Sequence, residues 1–483
     1  TIGVALTVWP VSLPERIPFA MTEWVWPAIL AKYHCVKLHS EEYWELVELY
    51  AKDMSAHRQN VIFTSIVGAE ALIGITRKRK GGYEFDFTHF DRWVGIFLAH
   101  GFQFIEGSHI FDNSIKFVRV FDERTGKEEI VEKRSNKKRI LRGEEYMKIL
   151  PALLAALRDH VTSKGWSRQY IQHIFDEPAE DQVANYRFLV KLVRKIWPGV
   201  RLVDATGWET KLFDAIDIAV PLLGSKRPYR EMRKHRGSGK TLWSYTCNWP
   251  RGRYPNRYID QPLIKTRIMP WLFWRYGVTG YLHWAYARWS PHHTHGRMDY
   301  DPHTGDSRAT LELVHPWSDT VLGASWSCPA GDAWVVYPPR DGISQDPRIM
   351  TPDLPRAVHD LMNGKPFKGP GEGKSFEERS RTLPGVVDSI RWEQMREGIE
   401  DYGLLWVLAD EIDKARRTRG RGEAAKRAQK ILDSTVARVA KDWTHYARRP
   451  AEIHRARKRI AAAIVELRGG GGPRRKREAG RRT

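Results

Sequence analysis

Cysteine is scarce in this chain. Its three residues, Cys35, Cys247 and Cys328, are scattered through 483 positions, too few and too dispersed for a disulfide framework or a zinc site, although one pair is still allowed. No run approaches the roughly 20 apolar residues that a membrane span requires. The phosphate-loop spacing is missing too: GKPFKGPGEGK at 364–374 has glycines and lysines but not the Walker pattern. A net charge of +21 and a pI of about 9.8 invite a nucleic-acid reading. No helix-turn-helix, zinc-finger or aromatic RNA-binding signature accompanies them. The charge is also uneven, since residues 411–483 hold 23 Lys and Arg against 8 Asp and Glu, a net +15. Binding to an anionic polymer would therefore be weak, non-specific and confined to the C-terminal segment. The chain opens at Thr1 with neither Met nor a signal-peptide pattern, which fits a processed or trimmed product. A secreted or periplasmic bacterial setting is compatible with that, and the compartment stays open, as does the oligomeric state.

What is present points to a large folded core. Hydrophobic residues make up 42% of the chain and 20 residues are Trp, a globular composition. Short apolar runs at 18–24, 60–66, 102–108, 170–175, 201–205, 216–222, 241–247 and 280–286 read as strands. Helical patterns at 42–58, 89–100, 143–161, 181–196 and 262–276 fall between them. Eight strands with intervening helices are what a (β/α)8 TIM-type barrel needs. The connections after the fifth and sixth strands are short or glycine-rich, and the charged stretch 113–142 reads as an excursion or hairpin. Beyond the eighth strand, 331–337 reads as a further strand, 342–385 as a long loop and 391–413 as a helix packed on the barrel. The basic stretch 424–467 is helical, and GGGGPRRKREAGRRT at 469–483 has the composition of a disordered tail.

The chemistry is concentrated in SRQYIQHIFDEPAED (167–181). Asp176 and Glu177 follow the fourth strand pattern directly, and Pro178 forbids its continuation. Barrel enzymes carry acid/base groups at the C-terminal ends of strands. Adjacent carboxyls repel, which separates their pKa values and suits a general acid beside an anionic stabiliser. The structural alternative is an acidic helix start after a strand.

This block and a second one, SIRWEQMREGIEDY (389–402), resemble glycoside hydrolase family 123 and the related domain-of-unknown-function 4091 family. VWPVSLPERIPFAMTEW (8–24), GYLHWAYARW (280–289) and GDAWVVYP (331–338) match in the same order. The resemblance covers roughly residues 8–408. It implies an exo-acting β-N-acetylgalactosaminidase or close hexosaminidase that hydrolyses a terminal 2-acetamido sugar by substrate-assisted, retaining catalysis, with no metal or organic cofactor. Glu177 would protonate the leaving oxygen and later activate water. Asp176 would orient the acetamido group and stabilise the oxazoline-like intermediate. Residues 1–13 would be the remnant of a β-sandwich, 14–325 the catalytic barrel, 326–410 the family's added strand, loop and helix, 411–468 a basic helical extension and 469–483 the tail. An observation independent of the family agrees: the seventh and eighth strands, TLWSYTCN and YLHWAYARW, contain no carboxylate to serve as a late-strand nucleophile. Glu23, Glu106 and Asp204 lie near other strand ends, where buried ion pairing is their default role.

Aromatic and amide side chains at strand ends are the sugar-holding candidates: Trp24, Trp208, Trp243, Tyr245, Asn248, Trp284 and Tyr286. Alternation puts Trp243 with Tyr245 and Trp284 with Tyr286 on shared faces. The cluster PHHTHGRMDYDPHTGD offers His292, His293, His295, Asp299 and Asp301, but its spacing fits no standard zinc or EF-hand pattern, and it reads as a solvated rim loop. Three rival functions remain. They are another glycosidase activity on the same scaffold, a non-catalytic carbohydrate-binding protein, and a basic polymer-binding protein.

Overall fold

In the computed structural model, residues 8–34, 36–68, 70–111, 117–132, 144–232, 234, 238–288, 329, 331–337 and 386–469 are described. The β-branched and aromatic runs form short parallel strands: β1 (Ala20–Glu23), β2 (Val61–Thr64), β3 (Phe104–Gly107), β4 (Tyr170–Gln172), β5 (Arg201–Gly207), β6 (Ile218–Pro221), β7 (Thr241–Leu242), β8 (Ser244–Thr246) and β9 (Gly280–His283). Parallel strands need crossovers, and helices supply most of them. These are α1 (Pro27–Tyr33), α2 (Glu41–Ala56), α3 (Thr88–Ala99), α4 (Tyr146–Ser163), α5 (Val183–Ile196), α6 (Lys226–Met232) and α7 (Ile264–Tyr276). No helix separates β5 from β6, and only the short α6 follows β6, as the compact sequence there requires.

The strands make a mixed α/β fold of two parallel sheets, ordered β7-β6-β5-β4-β3-β2 and β1-β9-β8. Individual hydrogen bonds join the sheets at both seams. Asn60, just before β2, donates from its amide to Met21 O at 3.2 Å and from its side chain to Phe19 O at 2.9 Å. At the other seam Leu223 N donates to Tyr245 O at 2.9 Å and Trp243 N to Ala219 O at 3.0 Å. Alternate residues Val61, Phe63, Val203, Ala205, Ile218, Val220, Trp243 and Tyr245 gather in one apolar cluster, distinct from the larger one shared with the helices.

The charged excursion contains an antiparallel hairpin, Phe117–Asp122 with Lys127–Glu132, in register from Phe117 opposite Glu132. It belongs to a four-stranded sheet with a second hairpin, Gly74–Arg77 and Tyr83–Asp86, which the sequence reading missed. The further strand after the eighth is shorter than expected, Val336–Tyr337, and pairs with Val387–Asp388.

Three helices follow among the described residues: α8 (Ile390–Arg417), α9 (Gly422–Val439) and α10 (Pro450–Leu467). The second sequence block is the clasp that binds α8 to the rest. Ser389 caps the helix by accepting from Trp392 N. Buried Arg391 donates to the carbonyls of Arg257 at 2.8 Å, Gly331 at 2.7 Å and Trp334 at 2.9 Å. A Cβ on Gly398 would lie 2.7 Å from Arg267 O, so only glycine allows α8 to pack this closely on α7. Asp401, fully buried, accepts from Arg267 and Trp271 of α7 and from Arg457 of α10. The basic helices are thus fastened to the core by ionic as well as apolar contacts. No helix among the described residues is long and apolar enough to cross a membrane.

Arg391→Ala would strip three buried carbonyls of a charged donor. A loss of about 3 kcal/mol is expected, read as a lower urea midpoint with an unchanged slope.

Candidate active site

β4 ends at Gln172, but the chain keeps its direction through Phe175, which bridges to Phe111. The Asp204 carboxylate on β5 holds this extension. It accepts from the amides of Ile174 at 3.0 Å and Phe175 at 3.2 Å, and from the Tyr186 hydroxyl of α5 at 2.5 Å. Asp176 and Glu177 follow, both exposed, above a layer of buried residues. Glu177 has φ +42°, a left-handed conformation that side chains rarely adopt. Its amide donates to Ala205 O at 3.1 Å, and Pro178 stiffens the turn beyond. Strain of this kind persists only where the surroundings impose it, and it concentrates at functional sites.

Beneath the pair lies a charged relay. His173 places Nε2 2.6 Å from Glu106 Oε1 and Nδ1 3.0 Å from Asp204 Oδ1, all three side chains being fully buried. Burial alone would lower the His173 pKa, but the hydrogen bonds and charges of Asp204 and Glu106 prevail and raise it to about 9. Burial raises the Asp204 carboxyl, opposed by His173. Glu106 also accepts from Thr22 at 2.6 Å and from the Trp24 indole at 3.2 Å. His109 Nε2 sits between the relay and the pair, 3.8 Å from Asp176 and 4.0 Å from Asp204. His109, His173 and Asp204 bring ligand-type atoms close together. In this arrangement both ring nitrogens of His173 already face carboxylates, Nε2 toward Glu106 and Nδ1 toward Asp204.

Tyr245 reaches across from β8 and donates its hydroxyl to Glu177 Oε1. Burial and the neighbouring Glu177 charge hold its phenol far above the ordinary range, so it remains a donor. A second buried network faces β1 and β9. Arg257 pairs with Glu23, donates to His283 Nδ1 at 2.6 Å, and binds Asp332 O at 2.8 Å. Asp332 in turn lies 3.2 Å from His283 Nε2 and accepts from the Trp284 indole at 3.1 Å. Burial raises Glu23 to about 7 against the pull of Arg257, and burial and Arg257 hold His283 near 3, hence neutral.

The expected sugar contacts separate on this frame. Trp24 is buried, with its ring stacked on Phe63 and edge-on to His109. Trp284 and Asn248 are partly exposed, and Trp208 is 66% exposed. Two of the expected contacts lie in the core. Trp243 is buried against Gly280, where an added Cβ would lie 2.6 Å from its ring. It shares a face with Tyr245 as expected, but lies deeper in the inner cluster. Tyr286 does not share the Trp284 environment, because β9 ends at His283 and alternation stops there. It is fully buried and donates to Asp53 at 2.5 Å. The residues that sequence reasoning passed over are His173 and Tyr186; a histidine inside an apolar strand pattern beside two acids was the available signal. His292, His293, His295, Asp299 and Asp301 lie outside the described residues.

The family described as Glycoside hydrolase 123, catalytic domain, matches residues 24–360, and the chain belongs to it. Among solved structures, a family 123 glycoside hydrolase from Clostridium perfringens, studied for glycolipid glycan hydrolysis, is similar at a TM-score of 0.59 and 17% identity. The likeness covers 96% of this chain and 71% of that one. At that identity it speaks to the fold alone. A family 5 glycoside hydrolase from Bacteroides vulgatus reaches a TM-score of 0.34 at 12% identity, over 55% of this chain and 58% of that one, too little to argue from. No curated protein sequence matches. The chain is thus a glycoside hydrolase with a carbohydrate substrate.

Because His173 gains affinity for its proton on folding, its contribution to stability is complete below about pH 6.5 and disappears as pH rises through about 9. His173→Gln is expected to flatten that decline, on the order of 3 kcal/mol in wild type. Urea unfolding across pH 6–10 reads it.

Proposed function

We propose that the chain is a retaining β-N-acetylhexosaminidase, in particular an exo-acting β-N-acetylgalactosaminidase, whose nucleophile is the substrate's own 2-acetamido oxygen. One observation carries this reading. Among the described residues, Glu23, Glu106, Asp204 and Asp332 are buried and engaged in ionic or hydrogen-bonded networks, and half-buried Glu209 after β5 accepts from the Thr210 and Lys211 amides, while Asp176 and Glu177 stand exposed side by side. Two exposed acids that are adjacent cannot flank the sugar ring from opposite faces, and substrate assistance removes the need for a second carboxylate across it.

In this mechanism the acetamido oxygen attacks the anomeric carbon as the glycosidic C–O bond breaks. Glu177 gives its proton to the departing oxygen. Asp176 accepts a hydrogen bond from the acetamido N–H and balances the positive charge that develops there. Glu177 then takes a proton from the water that opens the oxazoline ring. The Tyr245 hydroxyl orients Glu177. Trp24, Tyr245, Asn248, Trp284 and exposed Trp208 are the proposed sugar contacts. We also read the strands as one closed (β/α)8 barrel with β7 and β8 sharing a position, supported by the hydrogen bonds at both seams and the inner apolar cluster. Residues 14–325 would be the catalytic unit, with 326–410 added to it. The basic segment 411–483 serves in this reading for weak, salt-screened adsorption to anionic polymers, not for catalysis.

Glu177→Gln should cut turnover of oligosaccharides by orders of magnitude, and cleavage of activated aryl glycosides less in the first step, where protonation matters little. Asp176→Asn keeps shape but removes charge, and should lower kcat by roughly 10²–10³. Near wild-type kcat on oligosaccharides in either variant would remove these roles.

A further inference from the structure

A second cluster of ligand-type side chains lies outside the acid pair. His57 caps the C-terminal end of α2. Its Nδ1 is 2.9 Å from Asp53 O and 3.1 Å from Asp53 Oδ1. A carbonyl can only accept, so Nδ1 carries the proton and Nε2 presents its lone pair in the neutral ring. Toward Nε2 stand two carboxylates from different parts of the chain. Glu393 Oε1, in the first turn of α8, is 3.4 Å away, and Asp388 Oδ2, on the Val387–Asp388 strand, is 3.9 Å away.

We propose that His57 Nε2, Asp388 Oδ2 and Glu393 Oε1 form a site for one divalent transition-metal cation, with Zn2+ the best match. Tetrahedral zinc with bonds of about 2.1 Å sets its ligand atoms about 3.4 Å apart, the separation found between His57 Nε2 and Glu393 Oε1, with the 3.9 Å to Asp388 Oδ2 left to close as the part-exposed carboxylates draw in on the ion. One imidazole with two carboxylates is a borderline donor set, suited to zinc more than to calcium, which prefers six or more oxygens. The surroundings have the form of an outer shell around a metal. Ligating histidines usually donate their other N–H to a carboxylate or carbonyl, as His57 does to Asp53. Asp53 is itself fixed through Oδ2 by the Tyr286 hydroxyl at 2.5 Å and the Trp392 indole at 3.2 Å. Trp392 stacks on the His57 ring at 5.0 Å. Arg396 holds the other oxygen of Glu393 at 2.6 Å, leaving Oε1 toward His57. Three carboxylates here face one imidazole and one guanidinium, so a cation improves the local charge balance. The Asp388 and Glu393 side chains are 31% and 39% exposed, which gives an ion access and leaves a water the fourth position. Bound metal would pin the strand after residue 385 to α2 and α8, a structural task separate from the reaction at Glu177.

The test uses the full chain dialysed against EDTA and then titrated with Zn2+ by calorimetry, alongside thermal unfolding. Wild type should bind one equivalent at this site and unfold several degrees higher with Zn2+, while equimolar Ca2+ changes nothing. The double variant Asp388→Asn, Glu393→Gln alters part-exposed groups, so its midpoint in EDTA should match wild type. Its affinity should fall at least 100-fold and its Zn2+-dependent rise vanish. Asp53→Asn should weaken binding about 10–100-fold. X-ray absorption of the Zn2+-loaded wild type needs no substitution and should find one imidazole nitrogen, with oxygen as the remaining neighbours. The proposal is overturned if wild type shows no Zn2+-dependent rise, if the double variant binds as tightly, or if several imidazoles surround the metal.

Discussion

Asp204 never meets solvent, yet the position of both exposed acids follows from it. Its carboxylate gathers two backbone amides, the Tyr186 hydroxyl and the His173 ring. Those partners come from the turn after β4 and from α5, while Asp204 itself is on β5. A buried carboxylate is costly unless its lone pairs are filled and its charge is met. Here both conditions hold, and satisfying them fixes the backbone immediately before Asp176. The left-handed Glu177 is then caught between that turn and the Ala205 carbonyl. Removing the Asp204 charge would release the turn and strip protonated His173 of one of the two carboxylates it faces, Glu106 being the other. For this reason the relay and the acid pair are best regarded as one unit.

The opposite wall is built on arginine. Arg257 meets Glu23 and His283, and its main-chain carbonyl is held by Arg391 from α8. Because His283 is neutral, its Nδ1 accepts from Arg257 and its Nε2 donates to Asp332. Asp332 completes the chain at the Trp284 indole, on the partly exposed side of the wall. The two sequence blocks that point to the family therefore do different work. SRQYIQHIFDEPAED presents the exposed acids, whereas SIRWEQMREGIEDY contributes a cap, a buried guanidinium, a close-packing glycine and a buried carboxylate that secure α8.

The strands were readable because a strand buried on both faces leaves a short continuous apolar run, and all eight expected runs contain a strand. Depth along a strand leaves no such mark. Trp243 and Tyr245 obey the same alternation, but one is core and the other touches Glu177. The face expected to be shared by Trp284 and Tyr286 fails for a related reason: the pattern gives no sign that β9 stops at His283. The Gly74–Arg77 and Tyr83–Asp86 hairpin escaped notice because it buries little, so its side chains carry almost no hydrophobic period. Asp176 and Glu177 were legible from local order alone, being adjacent acids before proline. The partners that position them come from separate elements, and only the fold brings His173, Asp204, Tyr186 and Tyr245 together.

In the proposed reaction the substrate's acetamide does the work of an enzymic nucleophile. The most direct measurement compares p-nitrophenyl β-GalNAc and β-GlcNAc with the plain β-galactoside, each with and without a thiazoline analogue of the oxazoline intermediate. Substrate assistance predicts turnover only of the 2-acetamido sugars and strong inhibition by the thiazoline. Efficient cleavage of the β-galactoside, untouched by the thiazoline, would contradict it.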